Sequence, residues 1–196
     1  IVGARLLNWD GTEQRGGRRA FLTPWRAMVD YARLWKIFPH HPYFAAFNWH
    51  NTPKEQEDIE LPTVSGALMM LPRHAWEALG GLDAGYFLHV EDIDICLRAH
   101  KAGGTTLYCG SVSVRHLGGS SNTSRVFVEW HKTRGLMRYF HRHFSETYPA
   151  WGLRLVDLLL WIRWLAILPK LLWIDLKRWC GKQKERDAVS SLRAPG

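Results

Sequence analysis

From residue 63 to residue 116 the chain alternates short apolar runs with helix-period segments, and glycine pairs close the helices. TVSGALMML (63–71) reads as a strand, and RHAWEALGG (73–81) as a short helix stopped by Gly80-Gly81. VEDIDICLRAHKAGG (90–104) reads as a second helix, closed by Gly103-Gly104, and TTLYC and SVSVRH follow as two short strands. Strands that alternate with helices bury their apolar faces by stacking helices on a sheet, so the class is α/β. IVGARLLN adds a strand at the start, ended by the turn signal Asn8-Trp9-Asp10-Gly11. A polar loop (GTEQRGGRR), a helix over 24–35 and a long aperiodic loop over 38–62 come next. GGSSNTS (118–124) is a flexible loop, and a helix rich in His, Arg and aromatics follows over 125–144. About four strands are few for a complete doubly wound sheet, and the missing half is expected upstream of Ile1.

The helix over 90–104 carries the sharpest local question. Val90, Ile93, Leu97 and, less cleanly, Cys96 fall at helical spacing and face a core. Glu91, Asp92 and Asp94 crowd three carboxylates into four positions of a chain with a formal charge of +8. Acids in a first turn favour the positive end of the helix dipole, which explains them without chemistry. The other reading is that one of them acts on a substrate. Asp94 and Arg98 stand four apart on one face, as an ion pair requires.

The basic balance, 26 Lys+Arg against 18 Asp+Glu, points to an anionic partner: nucleic acid, a nucleotide diphosphate or acidic lipid. Three cysteines without CxxC spacing argue against a disulfide framework or a zinc knuckle. No apolar run reaches 18 residues, so a spanning helix is not expected.

The ordered series VSGALMMLPRHAWEALGGLDAGYFLHVEDIDICLRAHKAGG and then VSVRHLGGSS resembles the family-2 glycosyltransferases of the GT-A fold, the bacterial rhamnosyltransferase type above all. The elements of the resemblance are Gly66-Ala67, Gly80-Gly81-Leu82-Asp83, Tyr86-Phe87, Glu91-Asp92-Ile93-Asp94 with Arg98, and His116 with Gly119 and Ser120. It runs from Ile1 to about Phe144. It implies a partial GT-A (Rossmann-like) glycosyltransferase domain followed by C-terminal amphipathic helices. The family's nucleotide-binding half, with its metal-binding D-x-D, should precede Ile1.

What the resemblance implies for chemistry is inverting transfer of a sugar from a nucleotide-diphosphate donor to a glycan or lipid-linked acceptor. Deoxythymidine-diphosphate rhamnose is the candidate donor. Asp92 is then the base, since the acceptor hydroxyl needs a carboxylate within hydrogen-bond reach; as a helix cap it would need no other role. Glu91 shapes the acceptor site. Asp83 bonds the acceptor or holds its own turn, and Gly66 and Ala67 let backbone approach a sugar or only pack a strand. Lys132 and Arg134 are candidates to close over the diphosphate, against the alternative of a solvated basic helix face. His116 is implied as the ligand of a divalent cation (Mg²⁺ or Mn²⁺) or of the diphosphate. The remaining histidines, His141 and His143 included, are expected at the surface.

The C-terminal stretch WGLRLVDLLLWIRWLAILPKLLWIDLKRW is a separate signal. Leu155, Leu158, Ile162 and Leu165, then Trp173 and Leu176, keep an apolar stripe at helical spacing, with a kink expected at Pro169. Arg154, Arg163, Lys170, Lys177 and Arg178 punctuate the rest, and five of the 11 Trp lie at or beyond Trp151. Trp with Lys and Arg suits a headgroup layer, so this segment is expected to lie on an anionic membrane surface rather than cross it. Packing on its own domain is the alternative. The expected organisation is an acceptor-side glycosyltransferase part over 1–145, an interfacial helical segment over 146–182 and a disordered tail over 183–196. The chain would then work peripherally on the cytoplasmic face of the membrane. Two rivals are a non-catalytic membrane-associated scaffold and a nucleic-acid binder. The second is disfavoured, because basic and aromatic residues gather in an amphipathic stripe rather than a nucleic-acid-binding module.

Overall fold

The computed structural model describes residues 1–50, 52, 58–118 and 123–193, with side chains as far as residue 181. Within these residues the class is α/β, as the alternation requires. A four-stranded mixed sheet has the order β3 (Ile59–Glu60), β6 (Leu107–Arg115), β1 (Val2–Leu7), β5 (Met69–Met70). β1 and β6 run parallel, and the two short edge strands are antiparallel to them.

The two strands expected over 105–116 are one continuous β6. Ala4 pairs with Cys109 but Arg5 pairs with Ser113, so β6 carries extra residues at the point where sequence reading places a break. Such a bulge bends the strand without ending its pairing.

TVSGALMML is not one strand. β4 (Thr63–Val64) leaves the apolar run to pair with β2 (Arg18–Arg19) in a separate two-stranded sheet, and β5 pairs with β1. Residues 65–68 form the turn between them, so Gly66 and Ala67 lie on a turn. The two sheets touch closely: a Cβ on Gly3 would stand 2.6 Å from Val64 Cβ, which explains a glycine inside a strand. The polar loop expected over 11–19 also changes character, because it ends in β2 with Arg18 and Arg19 buried. Arg18 is held by a bidentate pair with Glu13 at 2.7 and 2.9 Å.

The helix expected over 24–35 is two helices, α1 (Pro24–Tyr31) and α2 (Leu34–Ile37), divided at Arg33 in the left-handed region. The long loop that follows contains a 3₁₀ turn (Pro42–Phe44) and β3; its residues 51 and 53–57 lie outside the described ones. α3 (Arg73–Leu79) ends on Gly80 with φ 72°. Gly81 is also left-handed, and a Cβ there would meet the Trp76 ring at 2.9 Å.

α4 (Glu91–Lys101) buries Ile93, Ile95, Cys96, Leu97 and Ala99, behind a buried Val90. Asp94 is fully buried on the same helix. It accepts hydrogen bonds from Arg98 Nε (2.7 Å), Tyr86 Oη (3.0 Å) and His143 Nε2 (2.6 Å). Arg98 goes on to donate to the carbonyls of Leu79 and Gly81, so the Asp94–Arg98 pair ties α4 to the glycine turn after α3. His143, expected at the surface, is instead a buried partner with 5% of its side chain exposed.

α5 (Arg125–Phe144) and α6 (Ala150–Arg193) pack together over Leu136, Phe140, Leu153, Val156 and Leu160. Asp175 of α6 caps α5: its carboxylate accepts from Ser124 Oγ (2.6 Å) and from the backbone N–H groups of Arg125 (2.8 Å) and Val126 (3.2 Å). A carboxylate on free N–H groups at a helix start satisfies donors that the helix itself leaves open. Pro169 lies inside α6, and the helix runs to Arg193, so most of the tail expected to be disordered is helical.

Candidate active site

Two consecutive left-handed residues, His89 (φ 62°) and Val90 (φ 75°), turn the chain into α4. A β-branched residue at positive φ is costly, and such strain concentrates where a side chain must be placed exactly where function needs it. What this turn presents is Glu91 and Asp92.

Asp92 is held on three sides. Its Oδ2 accepts from Arg19 Nη2 at 2.6 Å and from the Gly66 N–H at 2.9 Å, while Oδ1 accepts from the Ile93 N–H at 2.8 Å. Arg19 also donates to Val64 O at 2.7 Å, which fixes the guanidinium to β4. A Cβ on Gly66 would lie 3.1 Å from Asp92 Cβ, so the close approach that Gly66 permits is to this carboxylate. Burial pushes the Asp92 carboxyl up, but the Arg19 charge and the hydrogen bonds from Arg19, Gly66 and Ile93 outweigh it. Asp92 is held below the ordinary carboxylate range.

Its neighbour goes the other way. Burial, reinforced by the Asp92 charge, pushes Glu91 up. Its Oε2 is buried without a hydrogen-bond partner among the described residues. Adjacent carboxyls driven apart in this manner are suited to different tasks, one ionised and one closer to neutral.

Lys132 lies on α5. Its charge and that of Asp92 both act on His89, whose own pKa is lowered first by burial and then by Lys132. Burial also lowers Lys132, which stands 3.9 Å from Glu129. Arg134 is exposed on α5 and makes no ion pair among the described residues. Ala67 is exposed on the turn beside Gly66.

Asp83 is occupied locally. It accepts from the Gly85 N–H (2.7 Å), from Arg138 (2.9 Å at the closest) and from Arg142, which pins the glycine turn to α5. Burial would raise its pKa, but these partners hold it low.

His116 lies just past β6. Its Nδ1 is 2.7 Å from Gln14 Oε1, and Gln14 Nε2 donates to the His116 carbonyl at 2.9 Å. Gln14 thus fixes the ring, and among the described residues Nε2 has no hydrogen-bond partner, the arrangement that orients a metal-binding or phosphate-binding imidazole. Gly119 and Ser120, which follow it in the motif, lie outside the described residues. Among the described residues no group of three or more His, Cys, Asp or Glu is placed to hold a metal ion. His116 by itself does not make a cation site.

The structure therefore brings Asp92, Glu91 and Gly66 together, it places Lys132 beside Glu129 on α5, and it places Asp83 in a clamp of its own. Sequence reasoning missed Arg19, Gln14 and His89. Arg19 had a signal: an arginine that enters an apolar run (AFL) needs a carboxylate, and the crowded acids at 91–94 are the surplus. Gln14 had none.

Residues 46–137 match the family model described as Glycosyltransferase like family 2. The N-acetylglucosaminyl-diphospho-decaprenol L-rhamnosyltransferase of Mycobacterium tuberculosis is 29% identical over 102 residues, 52% of this chain and 29% of that protein. Rhamnosyltransferase WbbL of Escherichia coli is 30% identical over 105 residues, 51% of this chain and 39% of that protein. The chain thus matches well under half the length of these relatives. No solved structure matches it significantly. Over residues 46–137 the chain carries the glycosyltransferase family 2 pattern, and over about half of its length it is similar to rhamnosyltransferases.

Proposed function

We propose that the chain is the acceptor-side part of an inverting glycosyltransferase. It moves a sugar, with rhamnose as the candidate, from a nucleotide diphosphate to a hydroxyl of a lipid-linked or cell-surface glycan. The observation that carries this reading is Asp92: an ionised carboxylate fixed through Oδ2 by Arg19 and Gly66, with Oδ1 engaged, among the described residues, by the Ile93 N–H alone. The names of the relatives support the sugar, and one of them names a diphospho-decaprenol acceptor.

In the step, the acceptor hydroxyl gives its proton to Asp92 Oδ1 as its oxygen bonds to the anomeric carbon. The bond from that carbon to the diphosphate breaks on the opposite face, and the nucleoside diphosphate leaves with the electron pair. Glu91, beside the base, bonds the acceptor in this reading. Lys132 and the open Nε2 of His116 are the groups offered to the departing negative charge. Asp83 holds the turn that carries the acceptor side, and Ala67 and Arg134 stand at the exposed edge for substrate contacts. The protein would work peripherally at the cytoplasmic membrane face, where a lipid-linked acceptor is presented.

The test is the stereochemistry of the product. Given a deoxythymidine-diphosphate sugar and a polyprenyl-diphosphate-linked acceptor, the full-length protein should form a linkage of inverted anomeric configuration, read by NMR. Retention would remove the single-base mechanism. Absence of transfer, with lipid binding intact, would favour the scaffold reading, for which the exposed face of α6 is the specific support.

A further inference from the structure

The face of α6 turned away from the body is a row of exposed apolar side chains. Exposed apolar residues recur at alternating steps of four and three from Trp151 to Trp179, interrupted at Pro169. Leu158, Ile162 and Leu165 are 52–57% exposed and Trp179 is 64% exposed. The opposite face, with Leu153, Val156 and Leu160, is buried against α5.

The charges of α6 are sorted in the same way. Asp157 turns to His141 (2.7 Å), and Asp175 turns to the N-terminus of α5. Arg163 turns inward too, to Glu129 at 3.1 Å and over the Tyr31 ring at 4.3 Å. Arg154, Lys170, Lys177 and Arg178 remain exposed and form no ion pair among the described residues. Lys177 lies over the Trp173 ring at 3.8 Å, which places a cation and an indole together at the rim of the stripe. No helix of the described residues is long and apolar enough to cross a membrane.

We infer that the outward face of α6 is a docking surface for an anionic lipid bilayer, with the helix lying flat and the stripe from Trp151 to Trp179 in the headgroup boundary. The inference deepens the membrane-surface reading given above. A second copy of the chain fits less well. Among the described residues, an α6–α6 pair would bring four unpaired cations of each copy together, with Asp157 and Asp175 turned inward, whereas a bilayer offers both the apolar layer and the countercharge. The surface is joined to the site. Asp175 holds the start of α5, and Phe127 of that first turn packs edge-on against Phe87, two residues before the His89–Val90 turn that presents Glu91 and Asp92. Docking would set the carboxylates beside acceptors carried in the same membrane.

The experiment is co-sedimentation of the chain with phosphatidylcholine vesicles and with vesicles containing phosphatidylglycerol. It needs no donor or transfer, so its outcome is separate from that of the catalytic reading. Binding is expected to the anionic vesicles only. The double variant Lys177→Gln/Arg178→Gln should bind about 25-fold more weakly, at roughly fivefold per cation. Leu158→Glu/Leu165→Glu should abolish binding. All four residues are exposed, so circular dichroism should be unchanged. Should the Glu pair lose helicity, the Gln pair decides alone. Equal binding to neutral vesicles, no binding at all, or a stable dimer in sedimentation velocity that the Glu pair dissolves would each overturn the inference.

Discussion

Replacing Asp94 with Asn should destabilise the fold strongly. The carboxylate is fully buried and receives three donors: Tyr86 Oη, Arg98 Nε and His143 Nε2. An asparagine of the same shape offers one carbonyl oxygen to those donors and turns an NH₂ towards one of them. Arg98, with 14% of its side chain exposed, would lose its counterion while still bound to the carbonyls of Leu79 and Gly81. Removing one partner of a buried pair costs about 3–5 kcal/mol. That is a large part of a total stability of about 5–15 kcal/mol. Burial would raise the Asp94 pKa, but the bonds from His143 and Arg98 hold it below its ordinary value. Asp94 therefore adds stability above the unfolded-state pKa of about 3.9 and loses it as pH falls through the lower folded value. Urea unfolding of the chain and of Asp94→Asn at neutral pH and at about pH 3 measures both effects. The cost should be largest at neutral pH and should shrink in acid. A cost below about 1 kcal/mol at neutral pH, the range of a surface pair, would refute this account of the network.

Gly66→Ala places a Cβ 3.1 Å from Asp92 Cβ, so the turn must move and the N–H bond to Oδ2 weakens. A loss of about 1 kcal/mol in thermal or urea unfolding is expected, and transfer should fall in the full-length protein; a variant equal to the parent in both would remove the contact from the account. Arg19→Gln takes away the charge that holds Asp92 low, and leaves only the Gly66 and Ile93 N–H groups to oppose burial. The Asp92 carboxyl should titrate at higher pH in carbon-13 NMR, and the acid limb of the transfer profile should move up with it. An unmoved titration would show that Arg19 does not set the charge state of Asp92.

Much of the fold was legible because local signals agreed with tertiary needs. The α4 core face (Ile93, Cys96, Leu97), the span of α5 and the Asp94–Arg98 pair follow from helical spacing alone. What the sequence concealed depended on partners far along the chain. TVSGALMML reads as a strand, yet Thr63 and Val64 pair with Arg18 and Arg19, while Met69 and Met70 pair with β1. Only the sheet's close approach at Gly3 explains the division. His143 looks like a surface residue in an HRH run, and its burial depends on α5 crossing Asp94, 49 residues away. The candidate site divides in the same way. Asp92, Glu91 and Gly66 lie in a recognisable motif, whereas Arg19, 73 residues from Asp92, became part of the site only through the β2–β4 pairing.

The central claim is that Asp92 takes the acceptor proton, and kcat for sugar transfer by the full-length protein carrying Asp92→Asn tests it most directly. The amide keeps the shape and can still accept from Gly66, so circular dichroism and urea unfolding should report a folded protein. Loss of a general base predicts a fall in kcat of about 10²–10⁴-fold, with KM little changed. A folded variant that retains the parent's kcat would contradict the assignment, and Asp92 would be no more than the carboxylate that anchors Arg19 at the start of α4.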